Sequence, residues 1–221
     1  MDPNKEPRYL FVVPVWGERY IDIFLTMSLP TQLSPGNLEG FKDRDDITYL
    51  IVTRPQDKKV ISNSKIILNL SRILNVRVEG ADEVEFDSKN HYEPFSACYK
   101  IGMKQAEKYQ AACIFLTADQ IWADGAFVNI IQLAENGKKV VLISGPRVEY
   151  ESFAPDFFEK FPKHSESAVQ LTSRQVVNIA QKHLHLWDRS LFRDTNNKGR
   201  PGSFMFWQVK NEGFLMRCFH L

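Results

Sequence analysis

A lone carboxylate follows an apolar run in the middle of the chain. The segment CIFLTADQIWADG (113–125) leads from apolar residues to Asp119, and Trp122 and Asp124 come soon after it. A buried strand that ends in an acid would set this carboxylate at a sheet edge, where it can hold a divalent cation against a diphosphate. The alternative is structural, because an acid ahead of a helix also serves as an N-cap. Asp124 fits the capping role better, which leaves Asp119 as the candidate catalytic residue.

Two tryptophans and a glutamate join Asp119 near the predicted ends of strands. Trp16 and Trp122 each follow a predicted strand. An indole there can stack on a base or a sugar ring, or it can simply cover the end of the sheet. Glu18 opens the next helix, where it can hydrogen-bond a base or ribose or serve as a first-turn acid favoured by the helix dipole. Both interpretations stay open for each residue.

Basic residues offer an alternative to a metal. Lys100 and Arg147 can act as cationic clamps on a diphosphate. The basic segment NNKGRPG (196–202) is a candidate lid over phosphates, or only a solvated loop. The histidines of HLH (183–185) are a poor metal pair on a predicted helix, because residues two apart point to different faces.

Composition narrows the class of protein. The 221 residues are 43% hydrophobic and 25% charged, with a net charge of +1, so no bulk field recruits nucleic acid or anionic lipid. Three widely spaced cysteines without a CxxC pair argue against a zinc site or a disulfide framework and favour a reducing compartment. No apolar run approaches 18 residues. We therefore expect a soluble, cytoplasmic protein with no transmembrane segment and no nucleic-acid partner.

Apolar runs alternate with helical patterns, which predicts an α/β protein with a mostly parallel sheet. The predicted strands cover 9–15, 47–53, 75–80, 112–118 and 138–145. The predicted helices cover 20–33, 56–72, 94–109 and 125–137.

After Gly145 the pattern changes. An aromatic, proline-containing loop leads to a long predicted helix over 172–192. Two final strands, 203–209 and 213–221, are predicted to pair antiparallel across KNEG. The chain ends within a strand-like pattern, which is compatible with one domain of a longer protein.

Three segments, in order, resemble the inverting glycosyltransferases of the GT-A fold, the family 2-like group. The first is VVPVWGERYIDIFLTMSLPTQL (12–33), in which Pro14, Glu18, Ser28 and Leu29 stand at positions typical of the family. The second is PFSACYKIGMKQAEKYQAACIFLTAD (94–119), in which Gly102 matches. The third is FLTADQIWADG (115–125), in which the matching residues are Leu116, Ala118, Asp119 and Trp122.

The resemblance implies a GT-A-like, Rossmann-like sheet that binds a nucleotide-sugar donor and transfers the sugar to a glycan or another hydroxyl acceptor. It implies a single domain over 1–221, with a nucleotide-binding half (9–145) and an acceptor-side half (146–221). The implied donor pocket is formed by Pro14, Trp16, Glu18, Lys100 and Trp122. Asp119 then represents the Asp-x-Asp motif that holds Mn²⁺ or Mg²⁺ at the diphosphate.

The resemblance also places a general base in the second half. Glu149 is the candidate that we name, with Glu151 and Asp156 as alternatives. A late histidine completes the metal site in some GT-A enzymes. His220 stands in a comparable place, or it is an ordinary strand histidine.

Several departures keep other functions open. The second strand ends in IVTRPQD (51–57), where the family carries base-reading acids, and only Asp57 is a possible relic of that turn. Thr53, Thr117 and Gln120 also replace acids, which favours a non-catalytic binding or scaffold module as the alternative. A nucleotidyltransferase ranks lower because the loop after the first strand is neither glycine-rich nor strongly basic. The glycine-rich dinucleotide fingerprint and the GxSxG elbow are absent.

Overall fold

The computed structural model describes residues 6–90, 92–163, 167–194, 204–210 and 212–218. Four parallel strands form its main sheet in the order β3-β2-β1-β4. Their bounds are β1 Tyr9–Pro14, β2 Ile47–Thr53, β3 Asn75–Gly80 and β4 Ala112–Phe115. The predicted α/β class with a parallel sheet is confirmed.

The two central strands are buried on both faces, as their continuous apolar runs predict. Alternate residues of β1 enter two different cores. Phe11 and Val13 face one core, whereas Leu10 and Val12 face the other. The sheet is therefore covered on both sides.

Helices follow each strand of this sheet. They are α1 Glu18–Ile23, a π-helical turn Phe24–Ser28, α2 Leu29–Gln32, a 3₁₀ turn Leu38–Phe41, α3 Lys58–Ser62, α4 Lys65–Leu70, α5 Tyr92–Tyr109 and α6 Ala126–Glu135. The predicted helix over 20–33 is present but contains the π turn, in which the Leu29 amide bonds to the Phe24 carbonyl. Pro30 follows directly and has no amide to continue the α pattern. The predicted helix over 56–72 is divided into α3 and α4.

The chain divides into two compact units. The first extends to Val140 and includes Lys163–Gln170, so it holds the parallel sheet. The second comprises Val141–Pro162 and the chain from Leu171 onward. The single domain expected over 1–221 stays a prediction.

The second unit contains three helices and a two-stranded sheet among its described residues. Its elements are α7 Tyr150–Lys160, α8 Ser173–Lys182, α9 Leu186–Ser190, β5 Phe204–Val209 and β6 Gly213–Cys218. Strands β5 and β6 pair antiparallel, which confirms the predicted hairpin within the described residues. The predicted strand ends at 203 and 219–221 lie outside them.

Three predictions of secondary structure are wrong: the strand at 138–145, the aromatic loop after it and the unbroken helix over 172–192. The segment 138–145 forms no strand, and Val140, Leu142 and Ile143 are exposed, because β-branched residues specify a strand only where a neighbour pairs with them. The aromatic segment expected as a loop is helix α7, with Pro155 inside it.

The long helix expected over 172–192 is broken between α8 and α9. His183 is the C-cap of α8 and His185 the N-cap of α9. The break occurs because this segment forms an antiparallel bridge, Leu184 to Val148. No helix of the described part of the chain is both long and apolar enough to cross a membrane.

Candidate functional site

The strand order reverses next to β1. The chain moves from β1 to β2 and β3 on one side, and then returns to place β4 on the other side of β1. In open α/β sheets, ligands bind outside the carboxyl ends of the strands at such a reversal. The loops after β1 and β4 therefore form the candidate site.

Asp119 lies in a tight turn directly after β4. The Thr117 hydroxyl donates to Asp119 Oδ1 at 2.7 Å, and the Thr117 amide donates to Gln120 Oε1 at 3.0 Å. Both Asp119 and Gln120 are exposed. Thr117 and Gln120 thus hold the turn in shape, and the Asp119 residue stays exposed.

A chain of buried hydrogen bonds connects this turn to β2. The Ser28 hydroxyl donates to the Gln120 carbonyl at 2.6 Å. Gln32 Nε2 donates to Ser28 Oγ at 3.0 Å, and Tyr49 OH donates to Gln32 Oε1 at 2.6 Å. Ser28, Gln32 and Tyr49 are fully buried. Burial raises the pKa of Tyr49, which keeps its hydroxyl protonated as a donor.

Trp122 does not line an open site. Its side chain is 7% exposed and packs edge-on against Phe127, with ring centroids 4.8 Å apart. Its amide donates to Thr31 Oγ1 at 3.1 Å. This placement favours the interpretation in which Trp122 covers the end of the sheet over the one in which it stacks on a ligand.

Asp124 has a structural role, but it is not the N-cap that the sequence predicts, because Gly125 holds that position and α6 has no side-chain cap. It accepts hydrogen bonds from the Gly36 amide at 2.6 Å and from Gln170 Nε2 at 2.7 Å. Burial opposes its ionisation, but the hydrogen bonds from Gln170, Ser34 and the backbone outweigh burial and lower the pKa of Asp124. Asp124 therefore anchors the loop and leaves Asp119 as its exposed acid.

Asn37 is a structural residue of this loop that the sequence analysis did not identify. Its amide nitrogen donates to the Ala123 carbonyl at 3.0 Å, and its amide oxygen accepts from the Phe127 amide at 2.9 Å. The only signal for it in the sequence is the turn-forming composition of SPGN (34–37).

Trp16 belongs to an aromatic cluster at the same sheet edge. Its ring centroid lies 5.2 Å from Phe86 and 5.0 Å from Phe95. Phe95 contacts Tyr99, and Tyr99 contacts Phe115 edge-on at 5.0 Å. All five rings are at least partly exposed, so the cluster offers a stacking surface as well as internal packing.

Tyr99 connects this cluster to the Asp119 turn. Its hydroxyl donates to the Leu116 carbonyl at 2.7 Å. Burial, with a further contribution from the negative charge of Asp119, raises the pKa of Tyr99 to about 12. Tyr99 is therefore a neutral donor here.

Arg54 is a cation that the sequence analysis treated only as a departure from the family. It follows β2, and its guanidinium lies 5.8 Å from the Phe86 ring centroid. It also pairs with the exposed Asp87 at 2.9 Å. Arg54 places a positive charge beside the aromatic cluster.

The loop after β1 carries the other predicted donor residues. Pro14 is the buried last residue of β1, and Glu18 is exposed in the first turn of α1. Gly17 between them has φ +77°, and its amide donates to Asp57 Oδ2 at 2.9 Å. Asp57 therefore ties the β1 loop to the segment after β2.

Lys100 lines a cavity that does not include Asp119. It is exposed on α5 and lines a shallow cavity of about 300 Å³. The other lining residues are Asn90, Tyr92, Glu93, Ser96 and Ala97. Asp119 is not among them, so the structure does not bring these two predicted residues into one pocket.

The remaining predicted residues belong to the second unit. Arg147 is engaged by the buried Asp188, to which its Nε and Nη2 donate at 3.1 and 3.0 Å. Glu149 is the N-cap residue of α7, and its carboxylate lies 3.3 Å from the Leu186 amide and 3.6 Å from His185 Nε2. His220 and the segment 196–202 lie outside the described residues.

The described residues offer few metal ligands. Within them, no three side chains among His, Cys, Asp and Glu come together as a metal-binding group. Cys98 and Cys113 are free thiols, and burial raises their pKa values to about 12 and about 11. No protein-family model, no curated protein and no solved structure matches the chain.

Proposed function

We propose that the chain is a GT-A-like glycosyltransferase whose nucleotide-sugar donor binds at the carboxyl edge of β1 and β4. The observation that carries the proposal is the exposed carboxylate of Asp119, in a turn at the reversal of strand order. A ligand site is expected at this reversal on topological grounds. The three-segment resemblance supplies the class of ligand.

In this proposal, the aromatic cluster and Asp119 bind different parts of the donor. Trp16 offers a ring face for the base, since the cluster is only partly buried. Arg54 holds its guanidinium beside the Phe86 ring of this cluster, where its charge favours an anionic group of the ligand.

Negative charge builds on the diphosphate as the sugar leaves, and it requires a positive partner. Asp119 would hold Mn²⁺ or Mg²⁺, which supplies that charge, with diphosphate oxygens completing the shell. The chain contributes one exposed carboxylate oriented by Thr117.

A nucleotide-binding module without transferase activity is the second candidate. Thr117 bonds one oxygen of Asp119, and Gln120 stands where the family has an acid. A single carboxylate binds a divalent cation weakly. These two facts favour a protein that retains the binding surface but not the chemistry.

Thermal unfolding with nucleotides tests the proposal. The melting temperature is measured with UDP, GDP, CDP, TDP and CMP, each with Mn²⁺ or with EDTA, for the native chain and Asp119→Asn. A nucleotide at 100 times its Kd adds about 2.7 kcal/mol to the free energy of unfolding. We expect a Mn²⁺-dependent rise in melting temperature with one base, lost in Asp119→Asn.

Asp43→Asn is the matched control. Asp43 is also exposed, but it precedes β2 and so lies toward the amino edge of the sheet. This variant should keep the full shift. An equal loss in both variants, or no shift with any nucleotide, would contradict a donor site at Asp119. Binding with no release of nucleoside diphosphate from the matching nucleotide-sugar would select the second candidate.

A further inference from the structure

A hydrogen-bonded relay in the second unit connects Ser152, His183 and Asp156. Ser152 Oγ lies 3.0 Å from His183 Nδ1, and Asp156 Oδ2 lies 3.1 Å from His183 Nε2. The imidazole is thus held between a hydroxyl and a carboxylate, one on each ring nitrogen. Both distances are within hydrogen-bond reach, as a Ser-His-Asp arrangement requires.

The backbone of the second unit fixes this geometry. Ser152 and Asp156 are four residues apart on α7, so they lie on the same face of that helix. His183 ends α8, and its carbonyl accepts from the Glu149 amide at 2.8 Å. The His183 ring also packs edge-on against Phe153, with centroids 5.9 Å apart. The imidazole side chain is only 15% exposed, so its orientation is constrained.

Asp156 selects the tautomer of His183. An ionised carboxylate only accepts hydrogen bonds, so it favours a proton on Nε2 and leaves Nδ1 as the acceptor for the Ser152 hydroxyl. Hydrogen bonds from His183 and Lys160 lower the pKa of Asp156, which keeps it ionised. Lys160 Nζ lies 3.1 Å from Asp156 Oδ1.

The hydroxyl itself is accessible. Ser152 is exposed, unlike the ring that it contacts. It can also donate to the Glu149 carbonyl at 3.2 Å, so its proton has two acceptors. Ser152 is the third residue of α7 and precedes the first intrahelical bond of the helix, from Phe153 to Glu149. A negative charge developing beside Ser152 would face the positive end of the helix dipole.

We propose that Ser152 is a nucleophile for acyl transfer from small carboxylic esters, with His183 as its general base and Asp156 as a positioning residue. Ser152 Oγ bonds to the acyl carbon while the ester C–O bond breaks. The Ser152 proton passes through His183 Nδ1 to the leaving alcohol. Water then attacks the acyl-serine, releasing the carboxylic acid and restoring the hydroxyl. This activity is independent of the proposed sugar transfer.

Covalent labelling tests the relay. The full chain is incubated with a fluorophosphonate, and the rate of adduct formation is followed by intact mass, with peptide mapping of the modified residue. We expect one adduct, on Ser152, and hydrolysis of p-nitrophenyl acetate that the adduct abolishes. General-base assistance is typically worth ~10²–10⁴-fold, so His183→Gln should lower the labelling rate at least ~10-fold.

Matched variants separate the relay from a purely structural contact. Ser152→Ala should remove both labelling and esterase activity, whereas Ser190→Ala, at a helical serine whose hydroxyl donates to the Trp187 carbonyl, should change neither. Asp156→Asn should slow labelling and Asp156→Glu should restore it, at unchanged melting temperature. An adduct elsewhere, no adduct, or equal rates for the native chain and His183→Gln would overturn the proposal.

Discussion

Two acids five residues apart, Asp119 and Asp124, have different roles because their hydrogen-bond partners differ. The carboxylate of Asp124 accepts hydrogen bonds from the Gly36 amide and the Gln170 side chain, and these bonds anchor the loop. Within the described part of the chain, Asp119 accepts a hydrogen bond from the Thr117 hydroxyl, and it stays exposed. The sequence correctly indicates that Asp124 lies just before a helix, but the N-cap role predicted for it is wrong, since Gly125 is the N-cap. It could not predict the partners, which come from residues 46 and 88 positions away.

Gly102 shows how one residue sets a helix–strand distance. A Cβ at Gly102 would lie 2.6 and 2.7 Å from the two γ-carbons of Val12 on β1. A β-branched side chain in a full core cannot rotate away, so the contact requires glycine. The resemblance points to Gly102, and the packing of α5 against Val12 explains why a glycine is needed there.

We expect Gly102→Ala to lower the free energy of unfolding by about 1–3 kcal/mol, the usual cost of overpacking a core. Urea unfolding of the native chain and the variant measures the difference. Gly145→Ala is the control, because a Cβ there meets no atom within 4 Å, and it should be neutral or slightly stabilising. Equal stabilities for the Gly102 variant and the native chain would mean that α5 lies farther from β1.

At the scale of elements, the buried chain of Tyr49, Gln32 and Ser28 joins β2 to the loop that carries Asp119. Each member is fully buried, so removing one leaves a polar group without a partner. The pair Ser28 and Gln120 is 92 residues apart in sequence, which is why no local pattern predicted it.

We expect Gln32→Leu to lower the free energy of unfolding by about 1–3 kcal/mol, because the Tyr49 hydroxyl then loses its acceptor. Adding Tyr49→Phe should recover part of that loss, since it removes the unpaired hydroxyl. A double-mutant cycle from urea unfolding measures the coupling. Strictly additive effects would show that the hydrogen bond between the two side chains contributes nothing.

The elements themselves were predictable where local pattern and packing agree. The runs YLFVVP and ITYLIVT became the two central strands because parallel neighbours bury both faces. The run at 138–145 has a similar composition but no pairing partner. Helix α7 was missed because Pro155 and its aromatic residues indicated a loop, whereas the helix buries Phe153 and Phe157. Tertiary packing decided these cases.

At the scale of the whole molecule, the chain passes from the first unit to the second within 138–145. This stretch has no helix or strand, and Val140, Leu142 and Ile143 are exposed. Backbone without regular hydrogen bonds enters a protease site most readily.

We expect brief trypsin treatment under native conditions to cut first after Lys138 or Lys139, giving two large fragments identifiable by mass spectrometry. Lys104, on the long helix α5, is exposed as well but should be cut far more slowly, because its backbone is helical. First cleavage within α5 would contradict this order of local stability.

The π turn Phe24–Ser28 has a genetic consequence. A π turn is an α-helix that has accepted one additional residue, so deleting one residue there would restore a regular helix rather than break one. After the deletion the Phe24 carbonyl would bond an amide four positions on instead of five, so the residues on either side of the turn would keep nearly the same relative orientation. Ile21 and Phe24 face the core of the sheet, while Ser28 supports the Asp119 turn. Loss of the codon for Leu25 or Thr26, which are both only partly buried, should therefore keep the core contacts and the support of the candidate site on their own faces of the helix.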